Sequence, residues 1–220
     1  MQIQDKYSMT REESVFVAKK YLKDSVYRSA FLEGMAVTFP QTEAILENTA
    51  VSNVSPKDIA KVIDLRDAWE YLLANLDAPL DLKYLEDIHE LIAKEDVPWG
   101  RLGKLRTETV RISGTSCLPE IPNPEAVARQ LLDILVANVS DTDKAVTLLL
   151  YLMRAQLFLD GNKRIATFAC NKLLISTGHG IFSLPPELKE QFAEQLIKFY
   201  ETNNMDELKL FIYNNCITGL

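Results

Sequence analysis

The sequence predicts an all-α fold, and three observations carry that expectation. Apolar residues recur at helical spacing along most of the 220-residue chain. Several of these runs open on a capping residue, and only one stretch alternates in side-chain character as a strand does.

Taken in order, Thr10 and Glu13 form the T-x-x-E pattern of a capping box. Val15, Phe16, Ala18, Tyr21, Leu22 and Val26 follow at helical spacing, so a long first helix is expected to run toward Gly34. A short helix restarts after Thr38 through Ala44, Ile45 and Leu46, and Ser52 to Val54 is a polar break. Ser55 then caps a helix with Pro56 at its first position, carrying Ile59, Val62, Leu65, Ala68, Trp69 and Leu72 inward. Leu80 to Ala93 is amphipathic in the same way.

The stretch from Pro98 to Pro124 differs. It holds Gly100, Gly103 and Gly114 with four prolines, and Thr109 to Ser113 alternates, which predicts a small β-hairpin or extended flap. Asn123-Pro124-Glu125 opens the next helix, through Val127, Leu131, Leu132, Ile134 and Leu135. Two strongly apolar helices follow, about Asp143 to Leu157 and Ile165 to a stop at Gly178, and their composition places them at the centre of the fold. Two more, from about Pro186 and Asp206, finish the chain. The expected organisation is residues 1–50 as N-terminal helices and 51–220 as the core domain.

Hydrophobic residues at 47% and charged ones at 25% describe an ordinary globular protein, with a formal charge of −7 that argues against nucleic acid as a partner. The charged N-terminus and the short apolar runs give no leader or membrane span, so a cytoplasmic location is expected. Cys117, Cys170 and Cys216 are widely spaced and read as free buried thiols. With His89 and His179 the only histidines, a histidine-rich metal site or a Ser-His-Asp triad has few members to draw on.

Between the two apolar helices lies FLDGNKR, Phe158 to Arg164. Lys163 and Arg164 fall in the first turn of a helix, where the macrodipole already presents positive charge. A bound anion reverses that conflict: Gly161 permits close backbone approach, and Asn162, Lys163 and Arg164 suit a phosphate. Asp160 repels such an anion unless a divalent cation bridges the two, as Mg²⁺ does between a carboxylate and polyphosphate. D-G-N is also ordinary turn chemistry, so the loop alone leaves both readings open.

The loop resembles the active-site motif of the Fic/Doc family: His, any residue, Phe, any residue, Asp or Glu, Gly, Asn, Gly or Lys, then Arg. Phe158, Asp160, Gly161, Asn162 and Arg164 stand at the expected offsets. Two other segments extend the resemblance from about Tyr27 to Leu220. RLGKLRTETVRISGT is similar to the family's flap, with Gly103, Arg106, Val110 and Ile112, which aligns a target peptide by strand addition. SAFLEGMAVT carries Ser29, Glu33 and Gly34 at the spacing of the family's inhibitory helix, whose glutamate enters the nucleotide site.

The resemblance implies a Fic-like helical bundle that uses ATP and Mg²⁺ to transfer AMP to a Ser, Thr or Tyr hydroxyl of a target protein. It implies Asp160 on the metal, Gly161, Asn162, Lys163 and Arg164 on the phosphates, and Glu33 as an internal block. Two positions depart from the pattern. The catalytic His is replaced by Gln156, which cannot accept a proton in the useful pH range, and a second Arg that pairs with the inhibitory glutamate is replaced by Thr167. A catalytically inactive nucleotide- or protein-binding module and a Doc-like protein kinase therefore stand beside the transferase. A homo-oligomer that governs release of the inhibitory helix is compatible with all three.

Overall fold

The computed structural model describes every residue from Met1 to Leu220. Helices α1 (Arg11–Lys20), α2 (Leu22–Leu32), α3 (Phe39–Leu46), α4 (Pro56–Ala74) and α5 (Leu82–Ile92) precede the flap. Helices α6 (Pro124–Val136), α7 (Asp141–Ala155), α8 (Asn162–Thr177), α9 (Lys189–Thr202) and α10 (Asp206–Asn215) follow it, so the all-α class is the class observed. Thr10 and Thr38 close capping boxes with Glu13 and Gln41. Ser55, Asp81, Asn123 and Ser140 each accept a first-turn N–H of the helix they start. None of the helices is long and apolar enough to cross a membrane.

The single first helix expected to run toward Gly34 is instead two, because Tyr21 leaves helical geometry at φ −96°, ψ 9°. Hydrogen bonds from Tyr21 N–H to Val17 and from Ser25 N–H to the Tyr21 carbonyl cross the joint. The rod bends without losing register, and Val17, Ala18, Val26 and Ala30 all remain buried.

Helices α7 and α8 pack against each other more extensively than any other pair. Twelve of the sixteen residues of α8 are buried, among them Ile165, Phe168, Leu174 and Ile175, each worth about 1.5–3 kcal/mol on transfer from water. Around this pair one cluster of buried apolar residues extends from Ile3 to Ile217, so packing is continuous across residue 50. All three cysteines are buried and free.

The flap corrects the β-hairpin expectation. Residues 104–123 are largely extended and turn at Gly114, with two backbone bonds across the turn, from Ile112 N–H to the Cys117 carbonyl at 3.4 Å and from Thr115 N–H to the Ile112 carbonyl at 3.2 Å, and no ladder. The carbonyls that a ladder needs are taken by a side chain. The buried guanidinium of Arg106 donates to the backbone oxygens of Glu108 (2.6 Å), Glu120 (2.5 Å) and Pro119 (3.2 Å), holding the two arms at a distance. The only sheet lies elsewhere: β1 (Ile181–Phe182) pairs antiparallel with β2 (Ile217–Thr218), as Ile181 with Thr218 and Phe182 with Ile217. Strands of two residues leave no period to detect in a sequence.

The first nine residues form a strap across the far side. Asp143, at the start of α7, accepts the Ile3 N–H at 2.9 Å and the buried Lys209 ammonium of α10 at 2.8 Å. Met9 N–H donates to the Gly178 carbonyl at 2.9 Å, so the strap joins the ends of α7, α8 and α10.

Candidate active site

Helix α7 ends where Gln156 enters the left-handed region at φ 47°, ψ 59°. Three Asn residues share a positive φ elsewhere, and Gln156 is the one other side chain to do so; such strain persists where neighbours over-determine it. The neighbours are present. Arg106 Nε donates to the Gln156 carbonyl at 2.5 Å, and Gln156 Nε2 donates to the Met153 carbonyl at 2.7 Å. Asn162 Nδ2 donates to Gln156 Oε1 at 3.1 Å.

The Asn162 side chain then closes the loop. Its Oδ1 accepts the Phe158 N–H at 2.9 Å and its Nδ2 donates to the Phe158 carbonyl at 2.8 Å. The sequence reading gave this amide to phosphate, but the structure commits it to shaping the turn. Gly161, at φ 76°, is the residue from which α8 departs, and no side chain caps that helix. Its first-turn N–H groups thus lack the partner that Ser, Thr, Asp or Asn supplies at the starts of α1, α3, α4, α5, α6 and α7.

Beneath the loop, Phe158 stacks on His89 of α5, with centroids 4.2 Å apart and planes at 13°. Gly103 N–H donates to His89 Nδ1 at 2.9 Å, which fixes the proton on Nε2, where it faces the Asp160 carbonyl at 3.2 Å. Burial, with a smaller push from the Arg164 charge, lowers the His89 pKa to about 4 against the opposing Asp160 hydrogen bond. His89 is neutral, has both ring nitrogens committed, and does not replace the missing base. His179 lies beyond the other end of α8, bonded to the Tyr7 carbonyl at 2.7 Å.

Across the loop, α2 brings in Glu33. The helix ends in a Schellman motif: Gly34, at φ 78°, donates its N–H to the Phe31 carbonyl and Met35 donates to Ala30. Gly34 therefore turns the chain while Glu33 stays at the helix end. Glu33 Oε2 lies 3.3 Å from Arg164 Nε, and Oε1 lies 3.6 Å from Lys163 Nζ. Neither Arg164 Nε nor Glu33 Oε1 completes a hydrogen bond, so the carboxylate is held by charge more than by directed bonds. Ser29 is buried one turn earlier and, with Thr167, lines a small cavity behind α2.

Arg164 is 3% exposed at its side chain and well anchored. Its Nη1 donates to the Ile92 carbonyl and its Nη2 to Asp96 Oδ2 at 2.8 Å, with Asp160 Oδ1 at 3.5 Å. Burial pushes the Asp96 carboxyl up, yet Lys61 and Arg164 outweigh it and hold the pKa below its ordinary value. Asp160 itself is half exposed, and its Oδ1 accepts the Gly161 N–H at 2.5 Å. No cluster of three or more acidic, His or Cys side chains forms a metal cage. A half-exposed carboxylate such as Asp160 still suits Mg²⁺, which binds through one or two carboxylates with phosphate oxygens and water.

The flap residues divide. Arg106 is buried and works as a brace between flap and loop, not as a target contact. Val110 and Ile112 are half-buried, and Thr109, Val110 and Arg111 make no backbone hydrogen bond within the chain, so an extended edge is left open.

Residues 79–174, which include the flap, the loop and the central helix pair, match the Fic/DOC family. Segment 79–174 thus resembles a Fic/DOC domain. A segment of Fic-1 from C. elegans superposes with a TM-score of 0.75 at 20% identity, over 93% of this chain and 66% of that one. A Fic domain containing signaling protein from Bacteroides thetaiotaomicron gives 0.72 at 20% identity, over 86% and 75%. BepC, a VirB-translocated effector from Bartonella tribocorum solved with bound AMPPNP, gives 0.53 at 16% identity, over 72% and 86%. At such identities the likeness is one of fold, and the chain spans just under two thirds of the C. elegans segment. No curated protein matches the sequence.

Asp96 and Lys61 were not singled out by the sequence, and His89 only as one of two histidines. Each sits on or beside an amphipathic helix with no local pattern to mark it, and each meets the site only through contacts made by folding.

Proposed function

We propose that the Fic/DOC domain binds ATP with Mg²⁺ and is built to transfer AMP to a hydroxyl of a target protein, held back by Glu33. One observation carries this reading. The Glu33 carboxylate lies against Lys163 and Arg164 at the uncapped start of α8, where a phosphate would find the same charges and N–H groups. The fold likeness to BepC, which holds a nucleotide analogue, supports it.

In this reading Lys163, the Nε edge of Arg164 and the first-turn N–H groups hold phosphate oxygens once Glu33 withdraws. Asp160 would hold Mg²⁺, which would supply charge neutralisation on the polyphosphate. The target segment adds to the open edge at Thr109 to Arg111, which brings its hydroxyl toward the loop. The hydroxyl oxygen bonds to the α-phosphorus, the bond to the bridging oxygen breaks, and pyrophosphate leaves with the electron pair. The hydroxyl proton needs an acceptor. Gln156 accepts none and its amide is tied to Met153 and Asn162, so the proton passes to water at a cost of about 10²- to 10⁴-fold in rate.

That same tethering favours a second reading, in which the domain binds nucleotide and partner without transfer. ATP labelled at the α or the γ phosphate, offered with a lysate to the native chain, Gln156→His and Glu33→Gly, separates them. Label from the α position in the native or Glu33→Gly chain supports AMP transfer, and label from γ supports a Doc-like kinase. Label in Gln156→His alone makes the native chain a pseudoenzyme.

A further inference from the structure

Arg164 has an unusual number of acids around it. Asp96 lies 2.8 Å from Nη2, Glu33 3.3 Å from Nε and Asp160 3.5 Å from Nη2. Three carboxylates on one guanidinium would leave nothing to attract an anion. The second oxygen of Asp96, however, is not idle. Its Oδ1 takes Lys61 Nζ at 2.6 Å and Lys57 Nζ at 3.3 Å, both from α4, while only Oδ2 faces Arg164.

We propose that Lys61 is a positioning residue for anion capture: by occupying one oxygen of Asp96, it lets that carboxylate anchor Arg164 without cancelling its charge. The inference rests on the nucleotide reading above. Four cations (Lys57, Lys61, Lys163 and Arg164) stand in the cluster against three carboxylates (Asp96, Glu33 and Asp160). When Glu33 withdraws, the excess of one positive charge becomes two, within a chain of net charge −7. Lys61 is the stronger of the two lysines, because its side chain is 17% exposed and that of Lys57 is 55% exposed and more fully screened.

The chain itself gives Lys61 no contact with Arg164, so its effect reaches the anion only through Asp96 and through its charge. Without it, only the longer contact of the exposed Lys57 keeps that oxygen of Asp96 from the guanidinium, and the site loses one positive charge. Both changes have the same sign. At low ionic strength, the loss of one charge from a partly buried cluster with an effective dielectric of about 20 weakens anion binding on the order of 5- to 10-fold.

The test is a calorimetric titration of ATP with Mg²⁺ into the full-length Glu33→Gly chain, alone and with Lys61→Gln, Lys61→Arg or Lys57→Gln. Lys61→Gln is expected to weaken binding by about 5- to 10-fold at low ionic strength, with the loss shrinking at high ionic strength. Lys61→Arg is expected to restore binding, and Lys57→Gln to weaken it less. Unchanged affinity in Lys61→Gln overturns the proposal. So does a loss that ignores salt or persists in Lys61→Arg, since either makes Lys61 a packing residue. Thermal unfolding monitors the fold, and if Lys61→Gln does not fold, Lys57→Gln and Lys61→Arg decide by the same criteria. Failure of Glu33→Gly itself to bind ATP is a different result, which removes the nucleotide reading and this inference with it.

Discussion

At the scale of single residues, His89 shows how a titratable group can be spent on structure. Its ring supports Phe158, accepts from Gly103 in the flap and donates to Asp160 in the loop, and burial first, then Arg164, lowers its pKa to about 4. The unfolded chain therefore binds the His89 proton near pH 6.5 while the folded chain refuses it until about 4. Between those values the unfolded state holds more protons, so the neutral ring's stabilisation is complete above 6.5 and is lost as pH falls toward 4. The loss amounts to roughly 3 kcal/mol. Urea unfolding from pH 4 to 7 should show this slope in the native chain and a flatter one in His89→Gln; equal slopes would contradict it. The residues from Phe158 to Arg164 were legible in the sequence because they are contiguous and their types fit one ligand. Asp96 was not, since it meets Arg164 across 68 positions, and His89 meets Asp160 across 71. Sequence also assigned Asn162 and Arg106 to ligands, whereas folding turns both side chains inward to hold backbone.

At the scale of elements, the site is a meeting of two helix ends that each carry the wrong charge. Glu33 sits at the C-terminus of α2 and Lys163 and Arg164 at the N-terminus of α8, all against the macrodipole, and each pair relieves the other. Helix α2 places its glutamate by ending on Gly34, and the opposite end of α8 stops on Gly178 at φ 83°. These two glycines should respond differently to alanine. At Gly34 an added Cβ meets nothing within 4 Å, so the cost is that of the left-handed backbone, about 1 kcal/mol. At Gly178 the Cβ runs into the Met9 backbone carbonyl as well, for roughly 2–4 kcal/mol in total. Urea midpoints of the two variants check the order, and a Gly34→Ala loss equal to that of Gly178→Ala would refute it. Helix starts were readable because caps are local: Thr10, Ser55 and Asn123 all cap as their sequence neighbours suggest. The bend at Tyr21 and the missing ladder in the flap were not, because the second depends on where the Arg106 guanidinium arrives in three dimensions.

At the scale of the whole molecule, one packed core joins the N-terminal helices to the segment that matches the Fic/DOC family, so the glutamate and the cations it meets belong to a single body. The contact of Glu33 with Lys163 and Arg164 is intramolecular, an ion pair without completed hydrogen bonds at Arg164 Nε or Glu33 Oε1. A charged contact of that kind is displaced by a ligand with more charge. The most direct measurement is the calorimetric titration of ATP with Mg²⁺ into the native chain and into Glu33→Gly. Removal of the carboxylate should tighten binding by about tenfold or more, the scale of one charge–charge contact in a partly buried site. No heat of binding in either protein would contradict the claim that the loop from Phe158 to Arg164 is a nucleotide site.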